Sequence, residues 1–131
     1  MRRLIAGASL AALASAASAQ PARLRADLAC QPTEAALTFL CTVDVADASG
    51  SPVDGVDVTL SADMPSMPMT HNVSPVKARP VADRPGSYQA RIALEMLGEW
   101  SVKLRFETPR PDVVVRKLDF QKDKVEPPAP R

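Results

Sequence analysis

Apolar and polar residues alternate along most of the chain between residues 24 and 120. A period of two is typical of antiparallel strands with one buried face and one face in water. No segment carries the longer period of an amphipathic helix of useful length. The last predicted strand is 113–120, and the inward positions of five others are Leu24, Ala26, Leu28 and Cys30; Phe39, Cys41, Val43 and Val45; Val56, Val58 and Leu60; Tyr88, Ala90, Ile92 and Leu94; and Trp100, Val102, Leu104 and Phe106.

Turn-forming residues separate these segments, at 49–52, 54–55, 84–86 and 108–111. Glycine, proline and aspartate in such clusters break strands and form tight connections. Short strands with frequent turns in about 100 residues are typical of a sandwich of two sheets. The sequence therefore predicts an all-β protein, an immunoglobulin-like β-sandwich of about seven antiparallel strands. A partly open barrel is the alternative.

The two cysteines, Cys30 and Cys41, lie on the inward faces of strands that are adjacent in sequence. In an oxidising compartment this placement predicts a disulfide that closes a loop of about a dozen residues. The alternative is a thiolate metal site or a redox pair. The spacing is unlike the short Cys-x-x-Cys arrangement of reactive pairs, which favours the disulfide.

Residues 1–19 have the pattern of a secretory signal peptide. Arg2 and Arg3 precede a short apolar run, and 17–19 (Ala-Ser-Ala) form a small-x-small cleavage site before Gln20. An uncleaved membrane anchor is the alternative. Charged residues before Cys30 argue against a lipoprotein signal, so no lipid anchor is expected. The sequence predicts a periplasmic or secreted protein with one domain at 20–121 and a disordered, proline-rich tail at 122–131.

The charge of the chain excludes some classes of partner. It has 16 basic and 15 acidic residues, and removal of Arg2 and Arg3 leaves 14 against 15, a formal net charge of −1. No basic block remains, so neither nucleic acid nor an anionic membrane surface is an expected partner.

Three of the five methionines and the only histidine fall within residues 64–71. Thioethers are soft ligands that select Cu(I), and imidazole also binds copper. Prolines at 65 and 68 favour extended backbone in the residues before them, and alternate residues of an extended chain share a face. Met67, Met69 and His71 are therefore predicted to be Cu(I) ligands. Met64 is a further candidate ligand that could assist these three, but it continues the inward face of a strand, so packing is favoured over metal binding for it.

Three short motifs follow one another along the chain: Met64-Pro65-x-Met67 followed by His71, then Gly86-x-Tyr88, then Met96-x-Gly98-x-Trp100-x-Val102. Over roughly residues 50–106 they resemble the YtkA-like domain, which is shared with the FixH family of bacterial envelope proteins. The resemblance implies an immunoglobulin-like sandwich, and some members are linked to copper handling or to assembly of the respiratory copper oxidase. FixH proteins usually keep an N-terminal membrane span, whereas this chain has the pattern of a cleavable signal.

Met96 matches the methionine that precedes Gly-x-Trp in these domains. Its position between two strands places it at an end of the sandwich, where it could add a thioether ligand if that end also carries residues 64–71. Packing in the core is the favoured interpretation for Met96 taken alone, and for Trp100.

Together these features favour a periplasmic copper-binding accessory protein that passes Cu(I) to a protein partner in the envelope. The chain has one histidine and no nucleophile motif, so it is not expected to be an enzyme. The alternative function is a structural or interaction domain whose Met-Pro loop is an apolar contact surface. The sequence leaves open the identity of the partner, the choice between copper and silver, and whether one chain or two complete the site.

Overall fold

The computed structural model describes residues 23–67 and 69–130. The predicted signal peptide lies outside the described residues. No helix long and apolar enough to cross a membrane occurs within the described ranges. The described residues contain nine strands: β1 Arg25–Pro32, β2 Thr38–Ala46, β3 Asp57–Asp63, β4 Asn72–Lys77, β5 Arg79–Pro80, β6 Ser87–Ala93, β7 Gly98–Thr108, β8 Asp112–Phe120 and β9 Val125–Glu126.

The strands form two antiparallel sheets with the orders β1-β2-β6-β5 and β4-β3-β7-β8-β9. If β1, β2, β5 and β6 are read as strands A, B, D and E, the first sheet has the A-B-E-D order of the immunoglobulin fold. The second sheet then carries C, F and G in the central positions as β3, β7 and β8. The predicted immunoglobulin-like β-sandwich is confirmed.

The inward faces predicted from the alternation form the core between the sheets. Trp100, Val58, Leu60 and Val43 are fully buried, and their neighbours on the same strand faces are almost as well covered. Trp100 is thus a core residue, as predicted. Burial of each such side chain stabilises the fold by about 1.5–3 kcal/mol, before the opposing loss of chain entropy.

The tyrosine on β6 shows how the core satisfies a buried polar group. The Tyr88 hydroxyl donates to the carbonyl oxygen of Val53 at 2.8 Å and accepts from the backbone N–H of Val56 at 3.0 Å. A buried phenol needs such partners to avoid the cost of desolvation. These bonds fix the connection between β2 and β3 against the first residues of β6.

The predicted disulfide is present between Cys30 and Cys41. The two residues lie directly opposite each other in the pairing of β1 with β2. The interpretation as a free thiolate site is therefore wrong for this structure. Closing the loop between them stabilises the domain by about 3 kcal/mol in the chain-entropy model.

Three strands were not predicted: β4, β5 and β9. In the pairing of β3 with β4, Val76 lies opposite Leu60 and Val73 lies opposite Ala62. One residue separates the pair on β3 but two separate it on β4, so β4 contains a β-bulge. The bulge spaces the two valines by three positions, so a search for strict alternation misses the strand. β9 pairs Val125 with Phe120, so the second sheet extends past residue 121 into the segment predicted to be a disordered tail.

Candidate metal centre

Because neighbouring strands run in opposite directions, the loops that connect them lie alternately at the two ends of the sandwich. One end, called here the methionine end, carries the loops at residues 33–37, 64–71, 94–97 and 121–124. The opposite end carries residues 47–56, 81–86 and 109–111. All four methionines after Met1 and the only histidine belong to the methionine end.

The loop at residues 64–71 is compact and its ends are joined. The N–H of Met64 donates to the carbonyl oxygen of His71 at 3.2 Å, and within the loop Met67 N–H donates to Met64 at 3.0 Å. The N–H groups of Thr70 and His71 both donate to Met67, each at 3.2 Å. The prediction of an extended segment is therefore wrong, and Met67, Met69 and His71 do not share a strand face.

Pro65 explains the turn. It occupies the second position of the turn that Met64 and Met67 close, where the fixed φ of proline is already suited to a tight reversal. The bias toward extended backbone acts on the residue before a proline, so it does not oppose this turn.

The four methionines differ sharply in exposure. Met64 is 5% exposed, Met67 38%, Met96 37% and Met69 91%. The Met64 methyl group lies 3.4 Å from the position that a Cβ on Gly98 would take. Packing is thus confirmed for Met64. Met96 is exposed and lies outside the buried core, contrary to the packing interpretation preferred for it alone.

Met96 is held beside the core by its backbone. The indole N–H of Trp100 donates to the Met96 carbonyl oxygen at 3.1 Å. Because Trp100 is fully buried, this bond ties the loop at residues 94–97 to the centre of the sandwich. The Met96 side chain stays partly open to solvent on the outside of that anchor.

His71 joins the two methionine-bearing loops. Its Nδ1 lies 2.5 Å from Oε2 of Glu95, the residue before Met96. The His71 side chain is 22% exposed and that of Glu95 58%. With Nδ1 engaged by a carboxylate, Nε2 is the ring nitrogen left for another ligand. Histidines that bind metals are commonly oriented in this way by a carboxylate on the other nitrogen.

Sequence reasoning missed Glu95. It lies 24 residues from His71, and only the packing of the loops at residues 64–71 and 94–97 brings the two together. The one available signal was its position beside Met96 in the Met-x-Gly-x-Trp motif. The pairing answers part of the question about Met96, because its loop does meet the loop that carries Met67 and His71.

The donor set at this end is soft. No group of three or more histidine, cysteine, aspartate or glutamate residues suited to a metal ion occurs in the described part of the chain. The candidate donors at the methionine end are the thioethers of Met67, Met69 and Met96 and the imidazole of His71. Such ligands suit Cu(I) and not the hard cations Mg²⁺ or Ca²⁺.

Apolar surface surrounds these residues. Leu37 and Leu97 are 37% and 36% exposed, and the N–H of Leu94 donates to the Leu37 carbonyl oxygen at 2.8 Å. A groove of about 450 Å³ runs along the β1–β2 connection between Leu37 and Leu97. The methionine end thus combines exposed apolar surface with exposed thioethers.

Comparison with known proteins identifies the family. The sequence model of the YtkA-like family matches residues 19–105, about two thirds of the chain. The match includes both loops that carry the methionines and ends within β7. Comparisons with curated proteins and with solved structures gave no match. The chain belongs to the YtkA-like family.

Proposed function

We propose that this protein is a Cu(I)-binding accessory protein of the bacterial envelope, acting as a carrier or in the assembly of a copper enzyme. Its ligands are His71 through Nε2 and the thioethers of Met67 and Met96. The observation that carries the proposal is the contact of His71 Nδ1 with Glu95, which orients the imidazole and joins the loops that bear both methionines. The signal-peptide pattern supports the envelope location.

The exposures of the side chains support this choice of ligands. Met67 and Met96 are 38% and 37% exposed, so their sulfurs can reach an ion without opening the core. Met64 is 5% exposed and serves packing. Met69 is 91% exposed, and we assign it to the first contact with an incoming ion or with the partner protein, not to the resting site.

A site of this composition suits transfer. Thioethers bind Cu(I) without the negative charge of a thiolate, so the ion is held by soft but neutral ligands. The partly exposed position gives a second protein access to the ion. A copper-requiring protein of the same compartment is the proposed recipient, in line with the roles linked to the FixH side of the resemblance. The proposal contains no catalytic step, and Ag(I) is the chemically equivalent ion.

The test is an anaerobic titration of the protein with Cu(I) against a chromogenic Cu(I) chelator. We expect a one-to-one complex that withstands competition, and we expect it to be lost in the double variant Met67→Ala/His71→Ala. Met64→Leu is the matched control, since it changes a thioether that packs in the core and leaves the proposed ligands intact. Unchanged affinity in the double variant would falsify the ligand assignment.

Glu95→Gln tests the orienting carboxylate separately. Glutamine keeps the size of the side chain but removes the charged acceptor of the His71 Nδ1 proton, so Cu(I) affinity should fall by roughly tenfold or more. Glu99→Gln is the control, because it removes a nearby carboxylate that makes no contact with His71 among the described hydrogen bonds. Equal affinity of Glu95→Gln and Glu99→Gln would show that Glu95 does not position the ligand.

A second candidate function rests on the apolar surface. Five of the seven large apolar residues that are exposed in the described structure, namely Leu37, Met67, Met69, Met96 and Leu97, lie at the methionine end. This favours a metal-independent interaction domain. Thermal unfolding separates the two functions, because Cu(I) at a hundred times its Kd should stabilise a copper-binding protein by about 2.7 kcal/mol. An interaction domain should show no shift.

A further inference from the structure

The free edge of β8 differs from the other sheet edges. β8 pairs with β7 along its whole length, but β9 covers its second side only at Asp119 and Phe120. Within residues 23–67 and 69–130, no strand pairs with the remaining part of that side, Asp112–Lys117. Unpaired N–H and C=O groups on such an edge can pair with another strand.

Two of the other sheet edges are interrupted by proline or by a β-bulge, and β8 contains neither. β4 has Pro75 near its middle and a β-bulge in its pairing with β3. β5 has two residues, one of them Pro80. Proline and bulges on edge strands block the addition of further strands. β1 has charged residues at exposed positions, Arg25 and Asp27, as β8 has at Arg116 and Lys117, so proline and the bulge are what distinguish β4 and β5 from β8.

The direction of the backbone groups on β8 follows from two contacts. The N–H of Gln121, just after the strand, donates to Lys124 on the β9 side at 2.9 Å. The N–H of Val113 donates to its neighbour's carboxylate, Asp112 Oδ1, at 2.8 Å. Because N–H and C=O groups alternate sides along a strand, the odd-numbered residues direct these groups to the free edge. Val113 and Val115 therefore present both a donor and an acceptor there.

The sequence of this edge is self-complementary in an antiparallel arrangement. Residues 112–116 read Asp-Val-Val-Val-Arg. A two-fold axis at Val114 places Val113 opposite Val115 of the second copy, so two residue pairs each exchange two hydrogen bonds. The same register places Asp112 opposite Arg116 of the second copy at both ends of the pairing. Val113 and Val115, each 49% exposed, would gain a β-branched cross-strand neighbour.

In the single chain the same charged side chains cover the edge. Arg116 donates through Nη1 to the Val115 carbonyl oxygen at 3.2 Å and through Nη2 to Ala26 at 3.4 Å. Asp112 pairs with Arg23 at 3.3 Å, and the Arg23 side chain is 78% exposed. Exposed pairs of this kind contribute little stability, so they can be exchanged for the pairing across a dimer.

We propose that β8 is a homodimerisation edge, with two copies of the chain pairing antiparallel about Val114 through Val113 and Val115, and with Asp112 facing Arg116 of the second copy. The paired sheets would form one continuous sheet of ten strands, twice the five of the second sheet. The interface lies along the side of the sandwich and does not depend on the proposed copper function.

The test is sedimentation velocity of the metal-free protein, as recovered from the expressing cells, over a range of concentrations. We expect a reversible monomer–dimer equilibrium. Val115→Pro removes an edge donor without touching the β7 ladder and should leave a monomer, whereas Val115→Thr keeps the N–H and the branched side chain and should dimerise. A monomer at all concentrations up to about 1 mM would overturn the proposal.

A charge exchange keeps the test valid if Val115→Pro fails to fold. Arg116→Asp places two carboxylates opposite each other at both ends and should raise the dimer Kd at least about tenfold. The double variant Asp112→Arg/Arg116→Asp restores opposite charges and should recover dimerisation. A dimer that tolerates Arg116→Asp unchanged, or that the double variant does not rescue, would place the interface elsewhere.

Discussion

The two ends of the sandwich use their loop residues differently. At the opposite end, polar side chains satisfy the turns locally: Asp47 Oδ1 accepts from the N–H groups of Ser49 at 2.9 Å and Ser51 at 3.0 Å, and Asp54 Oδ1 accepts from Gly86 N–H at 3.0 Å. At the methionine end, large apolar side chains are left partly exposed. Turn bonds of the first kind stabilise a fold, whereas exposed thioethers contribute little to it, and we therefore assign the proposed function to the methionine end.

The largest expected change in the free energy of unfolding comes from a substitution in the close-packed turn at the opposite end. Gly86 has a φ of +77°, and an added Cβ would lie 2.8 Å from Pro52 Cβ and 2.8 Å from the Val45 carbonyl oxygen. Gly86→Ala should therefore destabilise the protein by about 3 kcal/mol, through backbone strain and a clash with fixed atoms. Urea unfolding monitored by Trp100 fluorescence measures this change.

Gly50 supplies the matched control for that prediction. It also has a positive φ, +87°, but no atom lies within 4 Å of its Cβ position. Gly50→Ala should cost about 1 kcal/mol, from the left-handed backbone alone. Equal losses in the two variants would show that the close approach at Gly86 is not what limits the turn.

The next largest effect compares two methionines of one loop. Met64→Ala removes a side chain that is 5% exposed and should destabilise by about 2–3 kcal/mol. Met69→Ala removes one that is 91% exposed and should change stability by less than about 0.5 kcal/mol. The same unfolding experiment measures both, and a large loss in Met69→Ala would mean that its side chain packs in solution.

The smallest expected effect concerns pH at the opposite end. The hydrogen bond from Ser49, followed by that from the backbone of Ser51, lowers the pKa of Asp47 below its ordinary value of 3.8. A carboxyl group with a lowered pKa in the folded state stabilises above the unfolded-state pKa, and this contribution is lost as pH falls through the folded-state pKa.

Asp47→Asn should remove that contribution. Its stability should be lower than that of the parent protein at neutral pH, and the difference should shrink below about pH 4. Unfolding curves measured across this range test the sign. Because Asp47 lies in a turn and is only half-buried, water screens its charge and the effect should be small. Asp123→Asn, with a carboxylate that makes no described hydrogen bond, is the control.

Prediction from the sequence worked where a single rule governs both local and tertiary structure. Strands such as β2 and β7 alternate strictly because one face packs against the other sheet, and the sequence records that pattern. The cysteines follow the same rule, since two inward positions on neighbouring strands can meet. β4 was not predicted because its bulge interrupts the alternation, and β9 was not predicted because a strand of two residues is too short to show a pattern.

The candidate site was predicted in composition but not in geometry. The clustering of Met64, Met67, Met69 and His71 is visible in the sequence, and the four residues lie in or beside one loop between β3 and β4. The sequence could not show that turn hydrogen bonds fold this loop back on itself, because a segment containing proline is compatible with both extended backbone and a tight turn. Nor could it separate the buried Met64 from the exposed Met69.

The sequence by itself determined the all-β class, the inward faces, the disulfide partners and the soft character of the proposed ligands, because residue type and spacing of two are local properties. Only the tertiary structure decided which loops share an end of the sandwich. It brought Glu95 to His71 across 24 residues and left one side of β8 open. Both results depend on how the sheets pack and where each strand stops, which no short stretch of sequence contains.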